Sequence, residues 1–409
     1  MTLDFYFDVV CPYAYLAACE VEALGQRCGV EVRWRPILLG GLLRAVGAPD
    51  DPNASMGEAK RRLLGLDRQR SAARLGVPLR TPRAHSRRTV EAMRLCLAAP
   101  PGALRRAVSR SLFDAYWVKG DDVADPRVLA EVAGRHGLAA DAFAMPDLRE
   151  GLRAATAEAA ARGAFGVPSF VVGERLWWGR DRLPLVERAL GGTVADPWEA
   201  TASVVPSGTR VSFFHDFSSP FSYLAAARIE GIAHARGIRV EWVPILLGAL
   251  FREIGTANVP LLEMNPTKQA YVRRDLHDWA ERWGVPFVFP RHFPLRSVLP
   301  LRVALGEPAA TLPIYRAAWA EDRAVDTPEG LHAVLEAAGL PAADLLARAQ
   351  HVSIKDALRS NTERARGLGV CGVPTMEVQR EGRSVLLWGQ DRLDLLAAVL
   401  DGWWPPGEA

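Results

Sequence analysis

The feature that most constrains this chain is that it contains its own sequence twice. Residues Phe5–Gly47 align without a gap on Phe213–Gly255 at a constant offset of 208, with about 19 identities in 43 pairs. Trp34-Arg-Pro-Ile-Leu-Leu-Gly40 faces Trp242-Val-Pro-Ile-Leu-Leu-Gly248 in that alignment. The offset holds at Gly76-Val-Pro-Leu79 against Gly284-Val-Pro-Phe287, and drifts by two at Gly166-Val-Pro-Ser169 against Gly372-Val-Pro-Thr375. Trp178-Gly-Arg-Asp-Arg-Leu183 then answers Trp388-Gly-Gln-Asp-Arg-Leu393. A period of about 205 residues is far longer than a solenoid unit, so a whole domain is duplicated. The 409-residue chain therefore divides in two, and each half is long enough to bury a core of its own.

The repeated stretch Asp216-Phe-Ser-Ser-Pro-Phe-Ser-Tyr-Leu-Ala225 reads as the end of a strand handing over to a helix. Pro220 suits the first helical position, which makes Ser219 the N-cap. Unpaired N–H groups at such a helix start favour an anion, although Ser219 is equally an ordinary cap. The first copy, Asp8-Val-Val-Cys-Pro-Tyr-Ala-Tyr-Leu-Ala17, has Cys11 in place of the serine.

Hydrophobic content of 49%, charged content of 24% and a net charge of +3 describe an ordinary globular chain. No basic run with interleaved aromatics points to nucleic acid, and no apolar run is long enough to span a membrane. The chain enters a strand by Leu3 without a signal-type segment, and the expectation is a cytoplasmic protein. Its cysteines (Cys11, Cys19, Cys28, Cys96 and Cys371) form no C-x-x-C pair and no zinc spacing, so free thiols are expected and no metal.

In order, the signals predict a strand over Leu3–Asp8, a helix over Pro12–Cys28 and a strand over Val30–Pro36, a parallel β-α-β unit. Helical periodicity follows over Lys60–Leu75, Arg87–Leu97, Ala103–Trp117, Pro126–Gly134 and Asp147–Arg162. A hairpin of Ser169–Val172 and Leu176–Trp178 and a helix over Asp181–Leu190 close the half. The second half repeats the plan with a strand over Val211–His215, a helix over Pro220–Arg236 and a strand over Val240–Pro244. An insert over Leu246–Leu368, strands Thr375–Val378 and Ser384–Trp388, and a helix over Gln390–Asp401 complete it. The expected division is residues 1–195, a linker over 196–209, and residues 210–402.

This plan, with Val-Pro before the third strand, resembles the thioredoxin fold in its DsbA-like form, an α/β class with a large helical insertion. Phe-x-x-Asp-x-x-Ser-Pro-x-Ser-Tyr-Leu-Ala, Pro-Ile-Leu-Leu-Gly, Gly-Val-Pro and Trp-Gly-x-Asp-Arg-Leu, in that order, resemble 2-hydroxychromene-2-carboxylate isomerases and the related kappa-class glutathione transferases. The resemblance covers nearly all of both halves. It implies glutathione as cofactor and an isomerase or transferase acting on a small, electrophilic, aromatic-derived substrate. Residue by residue, it implies that Ser219 donates a hydrogen bond to the glutathione sulfur, with Asn258 and Lys268 nearby. It also implies that a cis Val373-Pro374 pairs its backbone with the cysteinyl part, and that Gln390 and Asp391 take the γ-glutamyl end. The physical chemistry agrees: a helix N-terminus and a cation lower a thiol's pKa, and an X-Pro bond becomes cis at modest cost.

The first half keeps Lys60, Asp181 and a Val167-Pro168 expected to be cis. Its asparagine position falls near Asp50, with Asn53 a loose substitute, and Arg180 replaces Gln390. Cys11 stands at a helix N-cap, where thiolate is expected to be favoured, but Ala14 occupies the resolving position. Cys11 is then a monothiol nucleophile, a glutathionylated thiol or a relic. Cys371, three residues before Pro374, is either an inert buried thiol or a redox-sensitive one beside glutathione. The alternatives to a glutathione-dependent isomerase are a thiol-disulfide oxidoreductase using Cys11, or a tandem in which the first half is a scaffold. The halves are expected to pair as an intramolecular pseudo-dimer. Trp279, Trp283, Phe287, Phe289, Tyr315 and Trp319 of the second insert are core or pocket residues.

Overall fold

The computed structural model describes residues 1–49, 51, 56–83, 85–193, 195–196, 198 and 207–408. Asp50 and Asn53 lie outside the described residues, as do positions 197 and 199–206 of the expected linker. In the first repeat the strands are β1 (Thr2–Phe7), β2 (Glu31–Pro36), β3 (Ser169–Val172) and β4 (Arg175–Trp178). The helices are α1 (Pro12–Arg27), α2 (Leu39–Ala45), α3 (Glu58–Leu75), α4 (Val90–Ala98), α5 (Ala103–Asp114), α6 (Pro126–Arg135), α7 (Pro146–Ala161) and α8 (Leu183–Ala189). In the second repeat the strands are β5 (Arg210–His215), β6 (Val240–Pro244), β7 (Thr375–Arg380) and β8 (Arg383–Trp388). Its helices are α9 (Pro220–His234), α10 (Leu247–Glu253), α11 (Pro266–Trp283), α12 (Val298–Gly306), α13 (Thr311–Trp319), α14 (Pro328–Ala337), α15 (Ala342–Arg348), α16 (Val352–Leu368) and α17 (Leu393–Leu400).

Each repeat builds a four-stranded mixed sheet, ordered β2-β1-β3-β4 and β6-β5-β7-β8. The first two strands of each repeat pair in parallel, and the closing hairpin adds antiparallel. Alternation along the central strand puts successive side chains on opposite faces. In β5, Phe213 meets Trp242 edge-on at 5.2 Å between ring centres on one face. Phe214 on the other face packs in a cluster with Ile245, Leu250, Ala365 and Val373. Burial on both faces explains why the central strands β1 and β5 read as largely apolar runs, while the edge strand β2 keeps Glu31, Arg33 and Arg35.

The local differences from the sequence expectation have physical causes. The helix expected over Arg87–Leu97 starts at Val90, and the turn after α5 widens into a π-helical Ala115–Lys119 that ends on Gly120 at φ 80°. The last helix of each repeat opens with a 3-10 turn, Arg180–Arg182 and Gln390–Arg392, entered from a glycine at φ 106° or 113°. Asp181 and Asp391 sit in those turns rather than at an α-helical cap.

The chain forms two compact units. One gathers Met1–Ala54, Arg68–Val194 and Asn265–Lys268; the other gathers Ser55–Asp67, Ala195–Met264 and Gln269–Ala409. The divisions therefore fall inside α3 and α11 as well as between the repeats. No helix among the described residues is long and apolar enough to cross a membrane.

Inside each unit a buried aspartate ties the turn after the first strand to the first helix of the insert. Asp216 Oδ1 accepts from Ser218 N and Oδ2 from Leu247 N, both at 2.8 Å. Asp8 does the same with Val10 N at 3.1 Å and Leu39 N at 2.8 Å. Burial pushes both carboxyls up, against the pull of these amides. A buried amide left without its acceptor costs about 1–3 kcal/mol. Asp216→Ala is expected to lower unfolding free energy by about 2–6 kcal/mol, counting two orphaned amides. Asp216→Asn, which keeps one acceptor oxygen, should lose less. Urea unfolding checks this, and an alanine variant as stable as the parent would contradict the role.

Candidate functional site

The second unit brings the residues singled out in the sequence to one loop cluster. Ser219 is the N-cap of α9 in extended conformation, with Pro220 following at the first helical turn. Its hydroxyl accepts from Ser222 N and donates to Val373 O, both at 3.2 Å, and its amide donates to Asp216 O at 3.1 Å. Val373-Pro374 is cis, as is Val167-Pro168 in the first unit.

The Gly-Val-Pro and Trp-Gly-x-Asp-Arg motifs are one packed object. A Cβ on Gly372 would stand 3.0 Å from Trp388 Nε1, so a side chain there would force the tryptophan to shift from its place over the loop. Gly389 N donates to Pro374 O at 2.9 Å, and Thr375 Oγ1 donates to Gly372 O at 2.7 Å. Gly389 also makes room for the Asp391 carboxylate, whose Oδ1 lies 2.6 Å from where a Cβ would be. Asp391 pairs with Arg392 at 3.1 Å, and Arg392 grips Asp67 in a two-pronged pair at 2.6 and 3.0 Å. Gln390 is only 3% exposed, and its Nε2 has no hydrogen-bond partner among the described residues. Asn258 is exposed and lays its Oδ1 on Gly248, in the first turn of α10.

The lysines are exchanged relative to the sequence expectation. Lys60, expected beside Cys11, belongs to the second unit, with its ammonium 5.7 Å from the Trp388 ring centre. Its charge pulls the Cys371 thiol down, though burial dominates and pushes that thiol up to about 12. Lys268, expected beside Ser219, belongs to the first unit and lies 5.2 Å from the Trp178 ring centre. The correction follows from the unit boundaries inside α3 and α11, which sequence order cannot reveal.

The first unit repeats the framework around a different centre. Gly166 lies against Trp178, Gly179 N donates to Pro168 O at 2.9 Å, and Asp181 pairs with Arg182 at 2.8 Å. Arg180 turns instead to Glu20 at 2.5 Å. Cys11 Sγ donates to Val167 O at 3.1 Å and is 8% exposed. Burial pushes its pKa up to about 11, outweighing the amides of Ala14 and Tyr13 that favour thiolate. The expectation of a stabilised thiolate is therefore corrected. The N-cap supplies one of two opposing effects, and desolvation is the larger.

Of the insert aromatics, Trp279, Trp283, Tyr315 and Trp319 are buried core. Two of them reach the loop before Ser219: Trp319 Nε1 donates to Phe217 O at 2.8 Å and Tyr315 OH to Asp216 O at 3.2 Å. Trp117 makes the matching bond to Val9 O at 2.8 Å in the first unit.

The sequence reading missed a fully buried polar pair in the second unit. His215 Nδ1 lies 3.0 Å from Tyr315 OH. Since that phenol already donates to Asp216 O, the histidine is the donor of this bond. Its Nε2 has no partner among the described residues, and burial pushes its pKa down to about 3. In the first repeat the aligned positions are Phe7 and Phe113, and Ala14 stands for Ser222. Comparing the two copies position by position would have exposed this pair.

A neutral buried histidine loses its fit as pH falls. Its folded pKa is below its unfolded value of about 6.5, so stability is complete above pH 6.5 and is lost toward pH 3. The loss approaches about 1.4 kcal/mol per pH unit. His215→Phe is expected to flatten the stability profile between pH 6.5 and 4, measured by urea unfolding. An unchanged slope would contradict the neutral assignment.

The family match agrees with this architecture. The DSBA-like thioredoxin domain matches residues 2–191 and again 210–401. The chain is 31% identical over 195 residues to a 2-hydroxychromene-2-carboxylate isomerase of Pseudomonas putida, covering 47% of this chain and 95% of that one. It is 26% identical over 215 residues to glutathione S-transferase kappa 1 of Homo sapiens, covering 49% of this chain and 94% of the relative. A solved 2-hydroxychromene-2-carboxylate isomerase aligns at 30% identity with a TM-score of 0.43, over 47% of this chain and 95% of that one. With the domain matched in both repeats, and each repeat folding as a mixed sheet with a cis-proline loop and a helix opened by proline, the chain belongs to the DSBA-like thioredoxin domain family, carried as a tandem pair.

Proposed function

We propose that the chain is a glutathione-dependent isomerase or transferase for an electrophilic, unsaturated, aromatic-derived small molecule, working at Ser219. The observation that carries this is the Ser219 hydroxyl, held 3.2 Å from both Ser222 N and Val373 O at the start of α9. The names of the relatives, an isomerase at 31% identity and a kappa-class glutathione transferase at 26%, support the same class. The residues present fit glutathione. Gln390 offers a buried donor without a partner, Asp391 a carboxylate for an ammonium, Lys60 a cation, and the Val373-Pro374 loop backbone groups for an extended peptide. Asn258 flanks α10 on the same repeat.

Bound glutathione supplies the nucleophilic sulfur. The Ser219 O–H, which here donates to Val373 O, would be the donor available to that sulfur, and with the N–H groups at the start of α9 it would favour the sulfur's charge. Lys60 adds a positive charge from the side of Trp388. In the first unit Lys268, Val167, Pro168 and Asp181 form the corresponding frame, but Cys11 puts a buried thiol where the hydroxyl would be. That supports tighter glutathione binding in the second repeat. The proposed division is residues 1–195, a linker over 196–209 and residues 210–402, supported by the family match to 2–191 and 210–401. The proposed setting is the cytoplasm, where glutathione is kept reduced.

Calorimetry with glutathione tests the assignment. Asp391→Ala and Lys60→Met are expected to weaken binding by at least about tenfold, because each removes a charge from a polar contact. Asp181→Ala and Lys268→Met should change it little. The reverse pattern would put the working site in the first unit. Ser219→Ala should lower turnover by about 100-fold with a smaller effect on affinity, since its donor acts on developing charge.

The thiol-disulfide alternative finds less support, with Cys11 buried and raised to about 11 and Ala14 at the resolving position. Among the thiols, iodoacetamide at pH 8 is expected to label exposed Cys19 well before Cys11, Cys96 or Cys371, read by mass spectrometry. Labelling of Cys11 first would revive the oxidoreductase reading.

A further inference from the structure

The second unit also carries an open groove of about 610 Å³, beside α9, α13 and the end of α14. This is within the ordinary range for a small-molecule site. Its apolar lining includes Val285, Leu312 and Val334, and its charged lining is Arg228, Arg316, Glu321 and Arg323. Glu321 sits between two arginines, 3.0 Å from Arg316 and 3.6 Å from Arg323. Arg228 has no ion-pair partner among the described residues, and its guanidinium lies 4.0 Å from where a Cβ on Gly284 would stand. Three arginines against one glutamate leave two positive charges uncompensated.

The first repeat carries different side chains at the aligned positions. α1 and α9 align at an offset of 208, while α5–α6 and α13–α14 align at 202, pinned by the equivalent bonds of Trp117 and Trp319 to the loop before the N-cap. At the four charged positions the first repeat has Glu20, Asp114, Lys119 and Asp121, so every sign is reversed. Where the groove is lined by Leu312, Ala337 and Ala338, the first repeat has Arg110, Arg135 and His136. Those longer side chains are engaged locally. His136 Nε2 lies 2.9 Å from Ser111 Oγ, and Glu20 pairs with Arg180 at 2.5 Å. Arg110, Lys119 and Arg135 all pull the Asp114 carboxyl down against the larger effect of burial. A long, mutually compensated set of side chains thus stands where the second repeat has alanines and excess positive charge.

We propose that this groove is a second ligand site of the chain, for a small amphipathic carboxylate. The guanidinium of Arg228 is the anchor, because a planar fork matches a carboxylate and this one is not already spent on another acid. The Tyr223 hydroxyl is committed to Pro286 O at 2.6 Å and serves as wall rather than as donor to the ligand. Val285, Leu312 and Val334 take the apolar body. This site is independent of glutathione and of the function proposed for Ser219.

The test uses 2-naphthoate as probe on the full chain, followed by its fluorescence, with neutral 2-naphthalenemethanol as the control of equal body. Saturable binding of the carboxylate is expected, preferred over the alcohol and not displaced by saturating glutathione. Arg228→Glu should weaken it by at least about tenfold, because it turns an attraction into a repulsion. Ala337→Arg, which installs the first repeat's residue on an exposed position, should weaken it similarly by occupying the space. Thermal melts of both variants confirm that they fold. Absence of saturable binding, displacement by glutathione, equal binding of the alcohol, or indifference to both substitutions would each overturn the proposal.

Discussion

A carboxylate that has left water must find donors, and in this chain that demand organises everything near the helix start. Asp216 is fully buried, and its two oxygens are taken by amides belonging to different layers: Ser218 in the strand-to-helix turn and Leu247 at the head of α10. The backbone oxygen of the same residue receives Ser219 N and the Tyr315 hydroxyl. One residue thereby binds the sheet, the capped helix and two parts of the helical insert. Burial alone would make such an ion expensive, and the amides are what make the position tenable. Asp8 repeats the arrangement, so the device belongs to the domain rather than to either site.

The second constraint is steric. The Gly372–Trp388 approach and the Pro374 O to Gly389 N bond explain why two short motifs far apart in a repeat travel together. Neither motif is intelligible alone. The tryptophan packs tightly on a neighbour without a Cβ, and the turn after it needs a residue that accepts φ 113° beside an aspartate. Together they hold the cis-proline loop across from Ser219, which is why a single hydroxyl can reach Val373 O.

Much of this was legible in the chain because it is local or because it is written twice. The strands, the closing hairpins, the Ser219 cap and both cis Val-Pro bonds follow from motifs of a few residues. What escaped depends on distance or depth. The acidity of Cys11 is a balance in which the N-cap is visible in sequence and the desolvation is not. The His215–Tyr315 bond joins positions a hundred residues apart, and each looks unremarkable until Phe7 and Phe113 are set beside them. The partners of Lys60 and Lys268 depend on where a unit ends, which here is inside a helix rather than at the linker.

That last feature bears on how such a gene can be cut and how it can change. The duplicated stretch of sequence and the compact body are different partitions of the same chain, since the second unit contains Ser55–Asp67 and the first contains Asn265–Lys268. Severing the gene at the linker would deprive each fragment of a piece of its own folded body, including the lysine over its tryptophan and, for the second, the aspartate that Arg392 grips. Heredity follows the same map. A change at codon 60 or 67 is inherited with the cysteine-bearing copy but is felt by the serine-bearing one, so neither copy is free to decay at those positions without consequence for the other.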